Sequence, residues 1–392
     1  VAIGKFAIVG EPRRIDGTGL IAAPGFIDLH THCDSGITKE KTRINKNYLT
    51  QGVTTVVTGN CGGGPLDVAR FLRDVDDGGT GTNVAHLVPH GAVRSKAMGS
   101  AKRPPTPAEL DVMRQLVEQG MRDGAWGLST GLIYLPSCYA ETDELVELSR
   151  VAGRHGGLYV SHIRSEGVEL LEAVGEAIEI GKRAGLPAHI SHFKASGPAA
   201  WGLAAKAVAL VQAARDEGQA VSADQYPYIA SSTSLSAMVM PDEYRGKKQL
   251  SEALADPQQA AKLRERLAKN IETRSSGTSL VVASYAPDRS FQGKNLAEFV
   301  RPEDIAVIAD TFRRFRTEPG SIVMVDAGFR HKDGHYIVQD WMGAITEISD
   351  QFDYTYIRSA KDFTAAADFM HPMPANKTGR LVAPIRDQMS ER

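Results

Sequence analysis

The 392-residue sequence predicts an α/β fold: a (β/α)8 barrel of the TIM type with a small N-terminal β segment and an inserted helical lid. Three observations carry this prediction. From residue 26 onward, short apolar runs alternate with helix-period segments, the pattern of βα units built on a parallel sheet. Eight such runs can be placed, the strand count of a closed barrel. No glycine-rich dinucleotide turn follows the first run, which argues against an open doubly wound sheet.

In chain order, residues 1–24 hold short strand pieces at 6–9 and 20–22 on either side of Asp16-Gly17, a partial β segment too small to be a domain alone. The barrel is expected over 25–392, with strands at 26–32, 53–58, 84–89, 127–130, 158–162, 188–193, 220–225 and 321–325. The helices between them are well punctuated. Thr106-Pro107-Ala108-Glu109 is a capping box with Pro at the first helical position, followed by Leu110, Met113, Val117 and Met121 on one face and Gly124 to stop the helix. Thr142-Asp143-Glu144 opens a second helix that runs towards Gly156-Gly157. Leu170, Val174, Ala177 and Gly181 line a third, and Val208, Val211 and Ala214 a fourth that ends at Gly218. Residues 233–300 break the rhythm. Met238 to Ile271 is rich in Lys, Glu, Gln and Ala, and reads as an inserted helical hairpin or lid.

Composition narrows the function classes. Hydrophobic residues make up 42% and charged residues 23%, as in a globular enzyme with a large core. A net charge of −2 gives no basic excess to recruit nucleic acid or an anionic membrane. No apolar run approaches the roughly 18 residues that span a bilayer. No signal peptide is visible, and a start upstream of Val1 is left open. Three cysteines, Cys33, Cys61 and Cys138, do not make a disulfide framework, so a reducing, cytoplasmic setting is expected. The oligomeric state is not readable from these features.

The candidate chemistry lies at strand ends, where barrels build their active sites. His30 and His32 close the first run, two apart and so on one face of a strand. The second run leads into Gly59-Asn60-Cys61-Gly62-Gly63-Gly64. The fifth ends in His162, the sixth contains His192, and the eighth ends at Asp326. A histidine pair alone is equally well a polar strand terminus, and a lone cysteine is usually a small buried apolar residue. Four imidazoles and one thiol on four strand ends form instead a set suited to zinc. Lys194 follows His192 by two residues; Tyr226, Tyr228, Ser231 and Ser232 follow the seventh run, and Tyr134 the fourth. A lysine and several hydroxyls around a metal suit a small-molecule substrate with a carboxylate and a polarised carbonyl. Arg164 and Glu166 are candidate supports for the ligands, while His86, His90, His155 and His189 read as structural.

The motifs APGFIDLHTH, TGNCGGG, GLSTGLIY, YVSHIRSEG, HISHFKASG and DQYPY resemble, in this order and over about residues 15–300, the N-acyl-D-amino-acid deacylases (D-aminoacylases) of the amidohydrolase superfamily. The cysteine is the specific part. Dihydroorotases and hydantoinases of that superfamily normally bridge two metals with a carboxylated lysine from the fourth strand. Here 127–130 offers no lysine, and Cys61 stands where the deacylases place a metal-ligating cysteine. The resemblance implies a metal-dependent hydrolase barrel in which Cys61, His162 and His192 bind a tight Zn2+, and His30 and His32 share Cys61 to form a second, weaker site. It further implies that Lys194, Tyr226, Ser232 and Tyr134 hold the substrate, and that an aspartate after the eighth strand is general base and acid. The implied reaction splits an N-acyl-D-amino acid into a D-amino acid and a carboxylate.

The tail departs from that pattern. The deacylases usually carry Ser-Asp-Gly after strand eight and then a His-Pro-Arg segment whose arginine grips the substrate carboxylate. This chain has Val325-Asp326-Ala327-Gly328, then Phe329-Arg330-His331, with His371-Pro372 much later. Asp326 is the choice for the base because it follows an apolar run, with Asp310, Asp362 and Asp368 as alternatives, and Arg330 is the choice for the carboxylate partner. Two other readings stand beside the deacylase: a cyclic-amide or hydantoin-type hydrolase, and a metal-binding barrel with impaired catalysis.

Overall fold

The computed structural model describes residues 10, 16–21, 23–226, 228, 230–284, 289–298 and 322–326. The strands are β1 (Phe26–Asp28), β2 (Val53–Thr58), β3 (Asn83–His86), β4 (Val88–Pro89), β5 (Gly127–Gly131), β6 (Leu158–His162), β7 (Ala188–Ile190), β8 (Val221–Ala223), β9 (Ala230–Thr233), β10 (Leu280–Ser284) and β11 (Ile322–Asp326). The helices are α1 (Lys46–Leu49), α2 (Val68–Gly78), α3 (His90–Met98), α4 (Pro107–Arg122), α5 (Thr142–Arg154), α6 (Leu170–Ala184), α7 (Leu203–Asp216), α8 (Leu235–Val239), α9 (Lys247–Ala255) and α10 (Pro257–Glu272). The strand piece expected at 6–9 lies outside the described residues, and Leu20 and Ile21 of the piece expected at 20–22 are not in a strand.

Strands β1, β2 and β3 pair in parallel, as do β4 through β8, each beside its predecessor in the chain. Only Leu87 separates β3 from β4, so seven of the eight expected runs follow one another in parallel order. The eighth differs. β11 runs antiparallel to β9, with Asp326 opposite Ala230 and Met324 opposite Ser232, and antiparallel to β10. Apolarity and length identify a strand but carry no direction, so the sequence reading could not foresee this pairing. Among the described residues no ladder joins β8 to β1.

The helices cover the parallel strands as their periodicity predicts. β5 is buried along its whole length, as expected for a parallel strand covered on both faces. Thr106 and Glu109 form the reciprocal capping box of α4, which buries Met113, Val117 and Met121 against Val88 and Leu128. α6 buries Leu170, Val174, Ala177 and Gly181 against Tyr159 and Ile190. α7 corrects one detail, because its inward stripe is Ala207, Val211 and Ala214, whereas Val208 is 56% exposed. One residue along a helix is a rotation of about 100°, enough to carry Val208 off that face. Helices α8 to α10 occupy most of the expected insertion and share their own apolar cluster around Leu235, Leu263 and Leu267. Asp256 caps α10 by accepting the N–H groups of Gln258 and Gln259, with Pro257 at the first helical position.

Candidate metal centre

Local backbone geometry brings the donors together in a way strand alternation does not describe. β1 ends at Asp28, so His30 and His32 lie in the bend after the strand rather than within it. Between them Thr31, fully buried, donates its N–H and its hydroxyl to Val57 O at 3.2 and 2.6 Å. This ties the bend to β2 and leaves the imidazoles on either side free to turn together, with their Nε2 atoms 3.3 Å apart. β7 likewise stops at Ile190, and His192 sits in the following turn with φ of 39°, a region disfavoured for a side chain with a Cβ. His162 is the last residue of β6 and pairs with Gly131.

Cys61 is carried by the turn after β2, in which Gly59, Cys61 and Gly62 have φ of 78°, 53° and 67°. Glycine is needed at 59 for room as well as for φ, since a Cβ there would stand 2.3 Å from Leu87 O.

From this turn the Cys61 sulfur lies 3.4 Å from His30 Nε2, 3.6 Å from His162 Nδ1 and 3.9 Å from His192 Nε2. His192 Nε2 and His162 Nδ1 are 2.9 Å apart. Two donor groups result, His30–His32–Cys61 and Cys61–His162–His192, sharing the sulfur. A tetrahedral zinc ion with bonds of about 2.05 Å to nitrogen and 2.3 Å to sulfur needs N···N of roughly 3.3 Å and S···N of roughly 3.6 Å. The observed separations bracket these values, and the mixed N and S donor set suits zinc. The electrostatics favour a thiolate at Cys61. Burial pushes the Cys61 thiol up, but the His30 charge and contacts with His162, His192 and His30 outweigh it and hold the thiol well below its ordinary value. Burial lowers His30, but the negative sulfur and Asp224 prevail and raise it to about 10. Burial and the neighbouring His192 keep His162 below its ordinary value. These residues therefore fit the metal that the sequence reading called for.

Two half-buried carboxylates orient the donors. Glu166, from the segment after β6, sets Oε1 2.6 Å from His192 Nδ1 and 2.5 Å from Lys194 Nζ. Burial raises its pKa, yet the Lys194 and His192 charges hold it far below the usual carboxylate range. Asp224, just past β8, accepts the main-chain N–H of His192 on Oδ1, while its Oδ2 stands 2.8 Å from His189 Nε2 and 3.6 Å from His30 Nδ1. Burial again opposes ionisation, and His189 and His30 overcome it. Asp224 is the site residue sequence reasoning missed. Its only signal was a carboxylate at the end of a strand run, before Tyr226. His189, read as structural, is one carboxylate away from the donors. The other histidines read as structural bond to groups outside the two donor sets: His86 to Thr58 and Pro65, His90 to Ser137 and Glu144, and His155 to Glu118.

The residues expected to hold substrate gather at the same rim. The Lys194 ammonium contacts Glu166, the His192 carbonyl at 3.0 Å and His192 Nδ1 at 3.2 Å, and stands 5.3 Å from the Tyr226 ring centre. Tyr226 stacks on Tyr228 at 6.4 Å. Tyr134 packs against the His162 ring at 5.1 Å, and its hydroxyl is 2.9 Å from Thr233 Oγ1. Ser232 Oγ is buried with no hydrogen-bond partner among the described residues. Asp326 ends β11, paired with Ala230, two positions along β9 from Ser232. Arg330 lies outside the described residues, as do Asp310, Asp362 and Asp368.

Comparison with known proteins points the same way. The model of an amidohydrolase family matches residues 13–233. The chain is 38% identical over 257 residues to a D-aminoacylase of Alcaligenes xylosoxydans xylosoxydans, covering 60% of this chain and 52% of that protein. An N-acyl-D-glutamate deacylase of the same organism is 38% identical over 256 residues, with the same coverage of 60% and 52%. The chain thus spans about half the length of the curated relatives it matches. Among solved structures, the crystal structure of a D-aminoacylase superposes with a TM-score of 0.58 at 28% identity, covering 77% of this chain and 60% of the other. An N-acyl-D-glutamate deacylase from Bordetella bronchiseptica, complexed with zinc and a phosphonate mimic of the tetrahedral intermediate, gives 0.60 at 29% identity, covering 78% and 60%.

Proposed function

The chain belongs to the amidohydrolase family, and we propose that it is the catalytic part of a zinc-dependent hydrolase that cleaves N-acyl-D-amino acids to a D-amino acid and a carboxylate. The observation that carries this reading is the convergence of Cys61, His162 and His192 from three separate strand ends. We infer that the seven parallel runs curve as a barrel wall around this rim and that α8 to α10 form its lid.

In this reading Cys61, His162 and His192 hold the tighter ion, and His30 and His32 with the shared Cys61 a weaker one. The bound ion supplies a water acidified towards neutrality and polarises the amide carbonyl. Glu166 accepts the Nδ1–H of His192 and so leaves Nε2 as the metal-facing nitrogen. That Nδ1–H cannot also accept from Lys194, so the lysine's third N–H, beyond those given to Glu166 and the His192 carbonyl, is directed to the Tyr226 side. We assign that donor, with Tyr226, Ser232 and Arg330, to the substrate carboxylate, and Tyr134 to the carbonyl oxygen. Asp326 takes the proton of the attacking water and returns it to the leaving nitrogen, so one water is consumed as the C–N bond breaks. No helix among the described residues is long and apolar enough to cross a membrane. A reducing cytoplasm would keep the Cys61 thiol free.

The test is zinc-loaded protein assayed on N-acetyl-D-methionine, N-acetyl-L-methionine and a hydantoin. Turnover of the D isomer alone is expected. Hydantoin turnover without the D substrate would point to a cyclic-amide hydrolase. Bound zinc with no turnover of any amide would point to a metal-binding barrel.

A further inference from the structure

Cys61 presents its sulfur from a backbone conformation that side chains with a Cβ rarely adopt, so something must hold the turn there. One face is closed by backbone. A Cβ at Gly131 would lie 2.2 Å from Cys61 O, and one at Gly91 would lie 2.7 Å from Gly62 O, so the turn rests directly on β5 and on the start of α3. At its entry, Gly59 N donates to Asp34 Oδ1 at 2.7 Å and Asn60 Nδ2 to Val57 O at 2.9 Å. One side chain reaches both sides of Cys61. Ser129, in the middle of β5 and with no exposed surface, accepts the Gly62 N–H on its hydroxyl at 3.1 Å and donates the hydroxyl proton to the Gly59 carbonyl.

We propose that Ser129 is a positioning residue whose single hydroxyl, bonded to Gly59 and Gly62, sets the location of the Cys61 sulfur. This rests on the reading of Cys61 as a metal ligand. Without the hydroxyl, a carbonyl and an N–H in a buried turn lose these partners together. The cheapest relief is rotation of the intervening peptides out of the left-handed region, which carries the sulfur with it. Metal bonds tolerate displacements of only about 0.2 Å, so a small rotation is enough to matter.

The experiment uses the full chain as wild type, Ser129→Ala, Ser129→Thr and Val117→Ala, a core truncation on α4 away from the turn. Each is loaded with cobalt(II) to read the thiolate-to-metal charge-transfer band, titrated with zinc against a chelator, and melted. Ser129→Ala is expected to bind zinc about 10- to 100-fold more weakly, with a shifted or weakened band. Ser129→Thr, which keeps the hydroxyl, should stay near wild type, and Val117→Ala should lose melting temperature only. Should Ser129→Ala not fold, Ser129→Cys, a weak donor and acceptor of similar size, carries the same expectation. Wild-type affinity and band in the hydroxyl-less variant, or equal weakening in Val117→Ala, would overturn the proposal. Absence of the band in the wild type would instead remove the ligand reading on which it rests.

Discussion

Glu166 Oε1 lies 2.6 Å from His192 Nδ1, the ring nitrogen opposite the one that faces Cys61 and His162. A carboxylate there fixes which imidazole nitrogen carries the proton, and therefore which one has a lone pair for a metal. Glu166→Gln is expected to weaken zinc binding by about 10- to 100-fold, read by chelator competition. Unchanged affinity would mean that the ring is oriented by the His192 backbone and Asp224 alone.

Because the two donor groups share one sulfur, they should empty unequally. After dialysis, metal analysis of Cys61→Ala should find no tightly held zinc, whereas His32→Ala should keep one ion per chain. Loss of all zinc from His32→Ala would show that the groups do not bind independently.

Asp326→Asn should lower turnover of an N-acyl-D-amino acid by at least about 100-fold, the lower bound for losing a general base, while zinc stays bound. Activity in this variant would move the base to Asp310, Asp362 or Asp368.

Stability towards acid should depend on a buried carboxylate outside the two donor groups. Glu144 accepts from Arg94 and sits 3.0 Å from His90 Nε2, with all three side chains almost fully buried. Burial raises the Glu144 pKa, but His90 and Arg94 outweigh burial and hold it below its ordinary value. A depressed carboxyl stabilises the fold fully above its unfolded pKa of about 4.3, and that contribution fades as pH falls through the lower folded value. Urea midpoints should therefore fall below about pH 4.3, and less steeply in Glu144→Gln. That variant should already be weaker by about 3–5 kcal/mol at pH 7, since it leaves Arg94 buried without its counter-charge. Parallel pH profiles for the two proteins would place the acid sensitivity elsewhere.

The convergence of the candidate donors was legible in the sequence because rare residue types fell at the ends of apolar runs, and the strand order made those ends neighbours. The supports were harder to see. Glu166 could be suspected from its place after His162, but Asp224 and Ser129 are common residues whose partners lie 32 and 67 positions away. Nothing local to either marks it. His30 and His32 were paired for the wrong reason: a bend pinned by Thr31 turns them together, not strand alternation.

Periodicity and caps in the sequence alone determined that helices and parallel strands alternate, where α4 begins, and which imidazoles and thiol stand at strand ends, because these follow from local sterics and burial. Tertiary structure decided the antiparallel course of β11, the left-handed turn that aims Cys61, and the sharing of Asp224 among His30, His189 and the His192 backbone. Those depend on which backbone and side-chain groups meet across the fold, and distant hydrogen-bond partners leave no periodic trace in the chain.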